Sequence, residues 1–514
     1  MTAPALPLPV RAAQLSLNGL FLQQVARQPD SIALVCGDRQ WTYRQFNERA
    51  QRLAHQLAAM GLQPGERIAI LSENRPEYVE LEMACAKLGL ILACQNWRQS
   101  DEELAHCIRL VTPRLLVHSG RQAAAVGRIA HGVERVLDLD SGAYEALVNA
   151  GQAVEPARDI DPETGLVILY TSGTTGMPKG ALISQRAMLA RSLVARIDLG
   201  AQPGETFIAW APLFHMVSTD SAFSTLLSGG KLIVMDGLDV PALVGWTLRE
   251  RIGHLIVMPG MVDQVIAEVE RTGARPLGAR LVGCMADLVP AVQIQRITEL
   301  YGAPFCNSFG STETGAPPAS RGTLAVGAFP ERLSKLPNTH IQFQLVDEDD
   351  RVVADGEPGE LCFRGPTLFS GYWANDEANA RDFRGGWFHM GDVFVRNPDG
   401  SLDFVDRRKY LIKSGGENIY PAEIERVLMG HPLVTEAVVV RKPDPKWGEV
   451  PVAFVARKDE TLGGDELKAL CRGKIASYKL PKDVVFIPFE AFPRSTTGKV
   501  KRHELEAMLP TAGS

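Results

Sequence analysis

Residues 170–180 read YTSGTTGMPKG, a run of hydroxyl and glycine residues that ends in a lysine. The run follows GLVILY at 165–170, an apolar stretch that reads as a strand, so the segment is a loop leaving a strand end. Glycines let the backbone approach an anion closely, and successive N–H groups form a nest for it. Thr171, Ser172, Thr174 and Thr175 add hydroxyl donors, Gly173 and Gly176 add backbone freedom, and Lys179 adds a charge. This is chemistry for a triphosphate. It is not the GxxxxGK[ST] phosphate loop, because Pro178 precedes the lysine and Gly180 follows it.

Five further segments carry reactive residue types in order along the chain. They are APLFHMVST at 211–219, FGSTE at 309–313, WFHMGD at 387–392, DRRKYLIKSGGENIYP at 406–421 and PRSTTGKVKR at 493–502. Together with the 170–180 loop they resemble the adenylate-forming enzymes: acyl-CoA synthetases, aryl-CoA ligases, firefly luciferase and peptide-synthetase adenylation domains. The resemblance spans about residues 20 to 505.

The resemblance implies a role for each segment. The 170–180 loop would cover the ATP phosphates. Phe309 would stack on adenine, Thr312 would contact the α-phosphate and Glu313 would hold magnesium, with Asn307, Ser308, Gly310 and Ser311 beside the nucleotide. A hard cation prefers carboxylate oxygen, and nucleotide-bound Mg²⁺ commonly uses one or two carboxylates. Asp392 and Arg407 would bind the ribose, although Met390 stands where the family usually has threonine. Lys409 falls at the hinge between a large and a small domain. Lys413 and Asn418 match positions that contact adenylate or phosphates, and Gly415 and Gly416 match the pantetheine passage. Tyr410 replaces a residue that is often acidic. Lys499 matches the catalytic lysine. Gly283, Cys284 and Met285, within VGCMADLVP, would line the purine where the family commonly has a GGAP-type loop.

The same resemblance puts His215 beside the substrate carboxylate. Peptide-synthetase domains usually have aspartate there, so histidine argues against an α-amino acid. Met216, Val217, Ser218, Met258, Gly260 and Ser308 would lie near the acyl group. That mostly apolar set fits an aryl, alicyclic or medium- to long-chain acid. Asp220 precedes the helical run SAFSTLL and reads as its N-cap. The implied activity is ATP-dependent carboxylate–CoA ligation: acyl-AMP and pyrophosphate form first, then acyl-CoA and AMP. Its cofactors are ATP, Mg²⁺ and coenzyme A. A stand-alone adenylating enzyme that loads a carrier protein and a luciferase-like oxygenase are the alternatives, and the end at Ser514 leaves no room for a fused carrier. An inactive nucleotide-binding scaffold sits badly with both Lys499 and Glu313 present.

These residues must be positioned by a large fold. The chain has 514 residues, 45% apolar and 22% charged, an ordinary globular balance. Its 54 basic and 60 acidic residues leave a net charge of −6, which argues against nucleic acid as a partner. No run reaches the ~18 apolar residues of a membrane helix, and the proline-rich start is not a secretory signal. Eight cysteines without a C-x-x-C pair suggest neither zinc nor a disulfide framework and fit the cytoplasm. The expected partners are therefore a small carboxylic acid, ATP and CoA, with a homodimer allowed.

Apolar residues at helical spacing from Phe46 to Leu62 predict a helix capped by Thr42, and 76–92 predicts another. RIAIL at 67–71, KLIVM at 231–235 and HLIVM at 254–258 predict strands. Strands alternating with helices indicate an α/β fold with parallel sheets. After residue 340, strand-like runs broken by Asp/Gly turns predict antiparallel hairpins, and GGWFHMGD and RNPDGSLDFVDRRKY read as turn-rich. The expected organisation is a large N-terminal domain, 1–406, with parallel sheets and a small barrel-like β part. A small mobile α+β domain, 407–514, follows it.

Overall fold

The computed structural model describes residues 12–157, 159–171, 177–258, 260–414, 417–494 and 500–509. They fall into two compact units, Met1–Gln342 with Arg364–Gly385, and Phe343–Phe363 with Gly386–Ser514.

The first unit holds two α/β sheets. One runs Val136–Asp138, Leu115–His118, Arg67–Leu71, Ile91–Cys94, Gly165–Thr171, Lys179–Ser184, and is parallel except for its last pair. The other has eight strands and is antiparallel only at its two ends. Strands covered on both faces read as continuous apolar runs rather than alternating ones. Ile68 to Leu71 and Leu166 to Leu169 are accordingly all buried.

The helix Tyr43–Ala59 starts where the sequence places it. Thr42 accepts from Gln45 N–H, and the Gln45 side chain returns the bond to the Thr42 backbone. The predicted 76–92 helix is shorter. It spans Pro76–Leu88 and ends on Gly89, whose φ of 69° is left-handed, and Ile91–Cys94 becomes a strand. HLIVM is shifted as well: the strand is Ile252–Leu255, and only His254 and Leu255 of the predicted run belong to it. A short apolar run carries no mark of where its strand starts.

The second unit carries the sheet Gln342–Val346, Pro358–Arg364, Phe388–Arg396, Leu402–Arg407, antiparallel across its last three strands. Its first and last strands are open edges, so no closed barrel exists among the described residues. Four strands are too few to wrap around a packed interior. The segments read as turn-rich are largely strand. Cys362 pairs with His389 and Glu360 with Val393, so Met390, Gly391 and Asp392 bulge opposite Leu361. Gly391, at φ 73°, accommodates the bulge instead of ending the strand. A second sheet is built on the long hairpin Val434–Asp444 and Gly448–Arg457. Its alternate residues feed two cores. Val439 and Val455 pack with Ile424 and Leu467 on one face, and Val438, Val440 and Phe454 pack with Leu505 on the other.

Candidate active site

Thr171 ends one strand and Lys179 begins the next, and the two residues stand opposite each other in an antiparallel pair. The predicted phosphate loop therefore joins neighbouring strands. Its Ser172, Gly173, Thr174, Thr175 and Gly176 lie outside the described residues. Lys179 Nζ lies 3.4 Å from Asp382 Oδ2 and 3.5 Å from the centroid of the Tyr372 ring. Burial lowers the pKa of this amine, while Asp382 and Glu313 act in the opposite direction. Tyr372 Oη donates to Glu313 Oε1 at 2.9 Å. Lys179 and Glu313, far apart in sequence, thus meet at one tyrosine.

The FGSTE segment forms a narrow ribbon. Gly310–Ser311 pairs with Gly315–Pro318, which leaves Thr312 and Glu313 in the connecting turn. A Cβ on Gly310 would sit 2.0 Å from the Gly315 carbonyl oxygen, so only glycine fits. Ser311 Oγ lies 3.1 Å from Thr314 Oγ1, and the Phe309 ring is buried. Arg191, whose side chain is 2% exposed, supports the turn. Its Nη2 donates to Thr312 O at 2.9 Å, its Nε to Thr367 O at 3.1 Å, and its Nη1 contacts both Asp220 oxygens at 3.2 Å. Asp220 is therefore not an N-cap. The helix begins at Met216, ahead of it, and His215 caps it.

His215 Nδ1 accepts the Val217 N–H at 3.3 Å, which assigns the remaining ring proton to Nε2. Ser218 and Thr219 bond back to the carbonyls of Ala211 and Leu213 at 2.7 and 2.6 Å. Asn74 grips the same loop, donating to the carbonyls of Ala209 and Ala211 and accepting from Leu213 N–H.

The residues expected at the purine are also gathered. Ser308 N–H donates to Cys284 O at 3.2 Å, and Cys284 Sγ reaches Met258 Sδ at 3.8 Å. Gly283 has φ 98°, and a Cβ there would meet the Phe305 ring at 2.5 Å. Met285 precedes the short turn Ala286–Leu288. Lys335, fully buried, bonds Asp287 Oδ2 at 2.5 Å and Asn307 Oδ1 at 2.7 Å, tying this turn to the strand end before FGSTE.

In the second unit, Asp392 and Arg407 are directly paired across their strands, with Arg407 Nε donating to Asp392 Oδ1 at 3.1 Å. Lys413 and Asn418 are likewise opposite each other. Gly415, Gly416 and Lys499 lie outside the described residues. Glu360 accepts from Gly391 N–H at 3.0 Å and from Arg408 Nη1 at 2.6 Å. Burial raises its pKa, but His389 and Arg408 outweigh this and hold it below the ordinary carboxylate value. Lys409 lies on the short turn Arg408–Tyr410, its Nζ 4.9 Å from the Tyr410 ring. Arg502 covers that ring at 4.7 Å and pairs with Glu425.

The sequence pattern of the AMP-binding enzymes matches residues 21–373, and that of the AMP-binding enzyme C-terminal domain matches 423–499. The chain belongs to the AMP-binding enzymes. Among similar proteins, a feruloyl-CoA synthase of Amycolatopsis sp. is 32% identical over 97% of both chains. An indoleacetate–CoA ligase of Aromatoleum aromaticum is 33% identical over 94% of this chain and 96% of its own. The o-succinylbenzoate CoA synthetase of Bacillus subtilis, solved with its acyl-adenylate OSB-AMP, superposes with a TM-score of 0.83. It is 27% identical and covers 95% of this chain and 97% of that one.

In this AMP-binding enzyme, the donor chemistry around Glu313 fits magnesium. Tyr372 occupies Oε1, and Oε2 has no protein partner among the described residues. Those residues contain no group of three or more His, Cys, Asp or Glu that could cage a metal. One carboxylate without a cage suits a cation that arrives with a nucleotide and keeps water and phosphate ligands. Sequence reading missed Tyr372, Asp382, Arg191, Lys335, Asn74 and Glu360. The signal available for Arg191 was only a charge in the apolar run MLARSLV, and Lys335, in RLSKLPN, offered none. For Tyr372 there was none, because its partners are distant in sequence.

Proposed function

We propose that this AMP-binding enzyme is an ATP-dependent carboxylate–CoA ligase, AMP-forming, acting on an aryl acid. The observation that carries the reading is the convergence of Lys179, Glu313 and the Thr312 turn at the base of the Thr171–Lys179 hairpin. Relatives across 94–97% of the chain, named for ferulate and indoleacetate, support an aryl substrate. The eight cysteines and the absence of a membrane-crossing helix among the described residues are compatible with work in the cytoplasm.

A carboxylate is a poor electrophile, and joining it to AMP supplies a leaving group. The acid oxygen attacks the α-phosphorus and pyrophosphate departs; a thiol then attacks the acyl carbon and AMP departs. Such transfers ask the protein mainly for positioning and charge stabilisation. His215 Nε2–H would donate to the acid's carboxylate and orient it. Thr312 and Lys179 would meet phosphate oxygens. Glu313 would hold magnesium, which offsets phosphate charge when bound. Phe309, Gly283, Cys284 and Met285 would face the purine, and Asp392 and Arg407 the ribose. Lys499 would stabilise the charge that builds on the α-phosphate. A division into domains 1–406 and 407–514, turning at Lys409, would separate the two half-reactions.

The experiment is a panel of carboxylic acids read by pyrophosphate release, with and without CoA, for the wild type, Glu313→Gln and Lys499→Ala. Aryl-acid-dependent release and thioester formation with CoA are expected. Both variants should lose adenylation, by about 10²–10³-fold for one lost stabilising group. Transfer to a holo-carrier protein but not to CoA, or oxygen-dependent light emission from acyl-AMP, would replace this reading with one of the alternatives.

A further inference from the structure

Tyr372 joins three segments that the sequence keeps apart. Its N–H donates to Asn379 Oδ1 at 2.7 Å, and its carbonyl accepts from Asn379 Nδ2 at 2.9 Å, which fixes it to the helix Asp376–Asp382. On either side, Leu182 N–H donates to Gly371 O at 3.0 Å and Trp373 N–H to Gly180 O at 2.8 Å, so it lies along the strand Lys179–Ser184. Phe369 N–H donates to Glu313 O at 2.8 Å, and the Phe369 ring meets the Tyr372 ring edge-on at 4.9 Å. Backbone and ring are both constrained. From this fixed frame the hydroxyl reaches Glu313 Oε1 and the ring face covers Lys179 Nζ.

We infer that Tyr372 is a positioning residue for the metal–nucleotide site: its hydroxyl locks the Glu313 carboxylate so that Oε2 is presented to the cation, while its ring holds Lys179 alongside. A glutamate at the tip of a turn otherwise samples several rotamers, and each binding event must then pay the entropy of fixing one. The donated hydrogen bond selects one carboxylate orientation beforehand, and the aromatic face is an electrostatic seat for an ammonium. Lys179 also pairs with Asp382, at 3.4 Å, so the ammonium is held in place beside the Glu313 carboxylate, whose charge also favours it. The inference rests on the reading of Glu313 as the magnesium carboxylate.

The test measures ATP binding rather than turnover. Titration calorimetry with ATP in Mg²⁺ and in EDTA gives two dissociation constants, whose ratio is the gain due to the metal. The wild type, Tyr372→Phe, Glu313→Gln and the double variant are compared. Tyr372→Phe deletes one oxygen and keeps the ring, so it should reduce the ratio about tenfold, the size of one hydrogen bond to a charged group. The double variant should fall no further than Glu313→Gln alone, because both act through one carboxylate. A wild-type ratio in Tyr372→Phe beside a reduced one in Glu313→Gln overturns the inference alone. A wild-type ratio in Glu313→Gln overturns the reading of Glu313. Equal weakening with and without metal in Tyr372→Phe marks a structural role and also overturns the inference.

Discussion

Replacing Lys335 by methionine should be among the most destabilising single changes in the first unit. Its ammonium is fully buried, and its partner Asp287 has a side chain only 13% exposed. Removing one member of a buried ion pair strands the other, at about 3–5 kcal/mol. The residual exposure of Asp287 points to the lower end, about 3 kcal/mol. The lost bond to Asn307 Oδ1, at 2.7 Å, adds about 1 kcal/mol. The total of about 4 kcal/mol compares with the 5–15 kcal/mol of a typical domain, so the loss is easily read. Lys335→Met combined with Asp287→Asn removes both charges and should recover most of it, since a neutral pair no longer carries the desolvation cost. Equilibrium urea unfolding followed by circular dichroism, with and without ATP, measures both variants. A single-variant cost below about 1 kcal/mol, or a double variant as unstable as the single one, would show that the pair is not a strut of the fold.

Arg191→Lys keeps the charge but loses the planar fork that serves Thr312, Thr367 and Asp220 together. It should cost about 1–3 kcal/mol in urea unfolding and slow ATP–pyrophosphate exchange; an unchanged exchange rate would separate this arginine from the FGSTE turn. Burial lifts the pKa of Asp406 from an ordinary 3.8 to about 6, Arg502 opposing the rise and Glu425 adding to it. The folded protein therefore binds this proton more tightly than the unfolded chain. The resulting stability is full below 3.8 and is lost as pH rises through about 6, at most about 3 kcal/mol. Asp406→Asn should flatten that decline in urea midpoints taken from pH 4 to 7, and superimposable wild-type and variant curves would falsify it.

The order of motifs and the parallel sheets were legible because each is a local property. An apolar run followed by glycine and hydroxyl residues marks a strand and its loop whatever surrounds it, and Thr42 ahead of apolar residues at helical spacing announces a helix start by itself. What escaped depends on partners. Asp220 looks like a cap until the Arg191 guanidinium, from another helix, is seen to claim it. GGWFHMGD looks like a turn because glycine also serves a bulge, and only the partner strand Pro358–Arg364 distinguishes the two. The Asp392–Arg407 pair was nameable residue by residue, yet their direct opposition follows from register, which the sequence does not display.

Glu360 has a mechanical consequence. One carboxylate fastens the Gly391 bulge and the Arg408 side chain, so these two stretches behave as a single riveted piece. Two residues further on, Tyr410 is pinned under the Arg502 guanidinium. Lys409 alone lies between these two anchor points. Should the chain turn at Lys409 as proposed, the clamp at Arg408 and the pin at Tyr410 would leave the backbone torsions of that one residue to take up the twist.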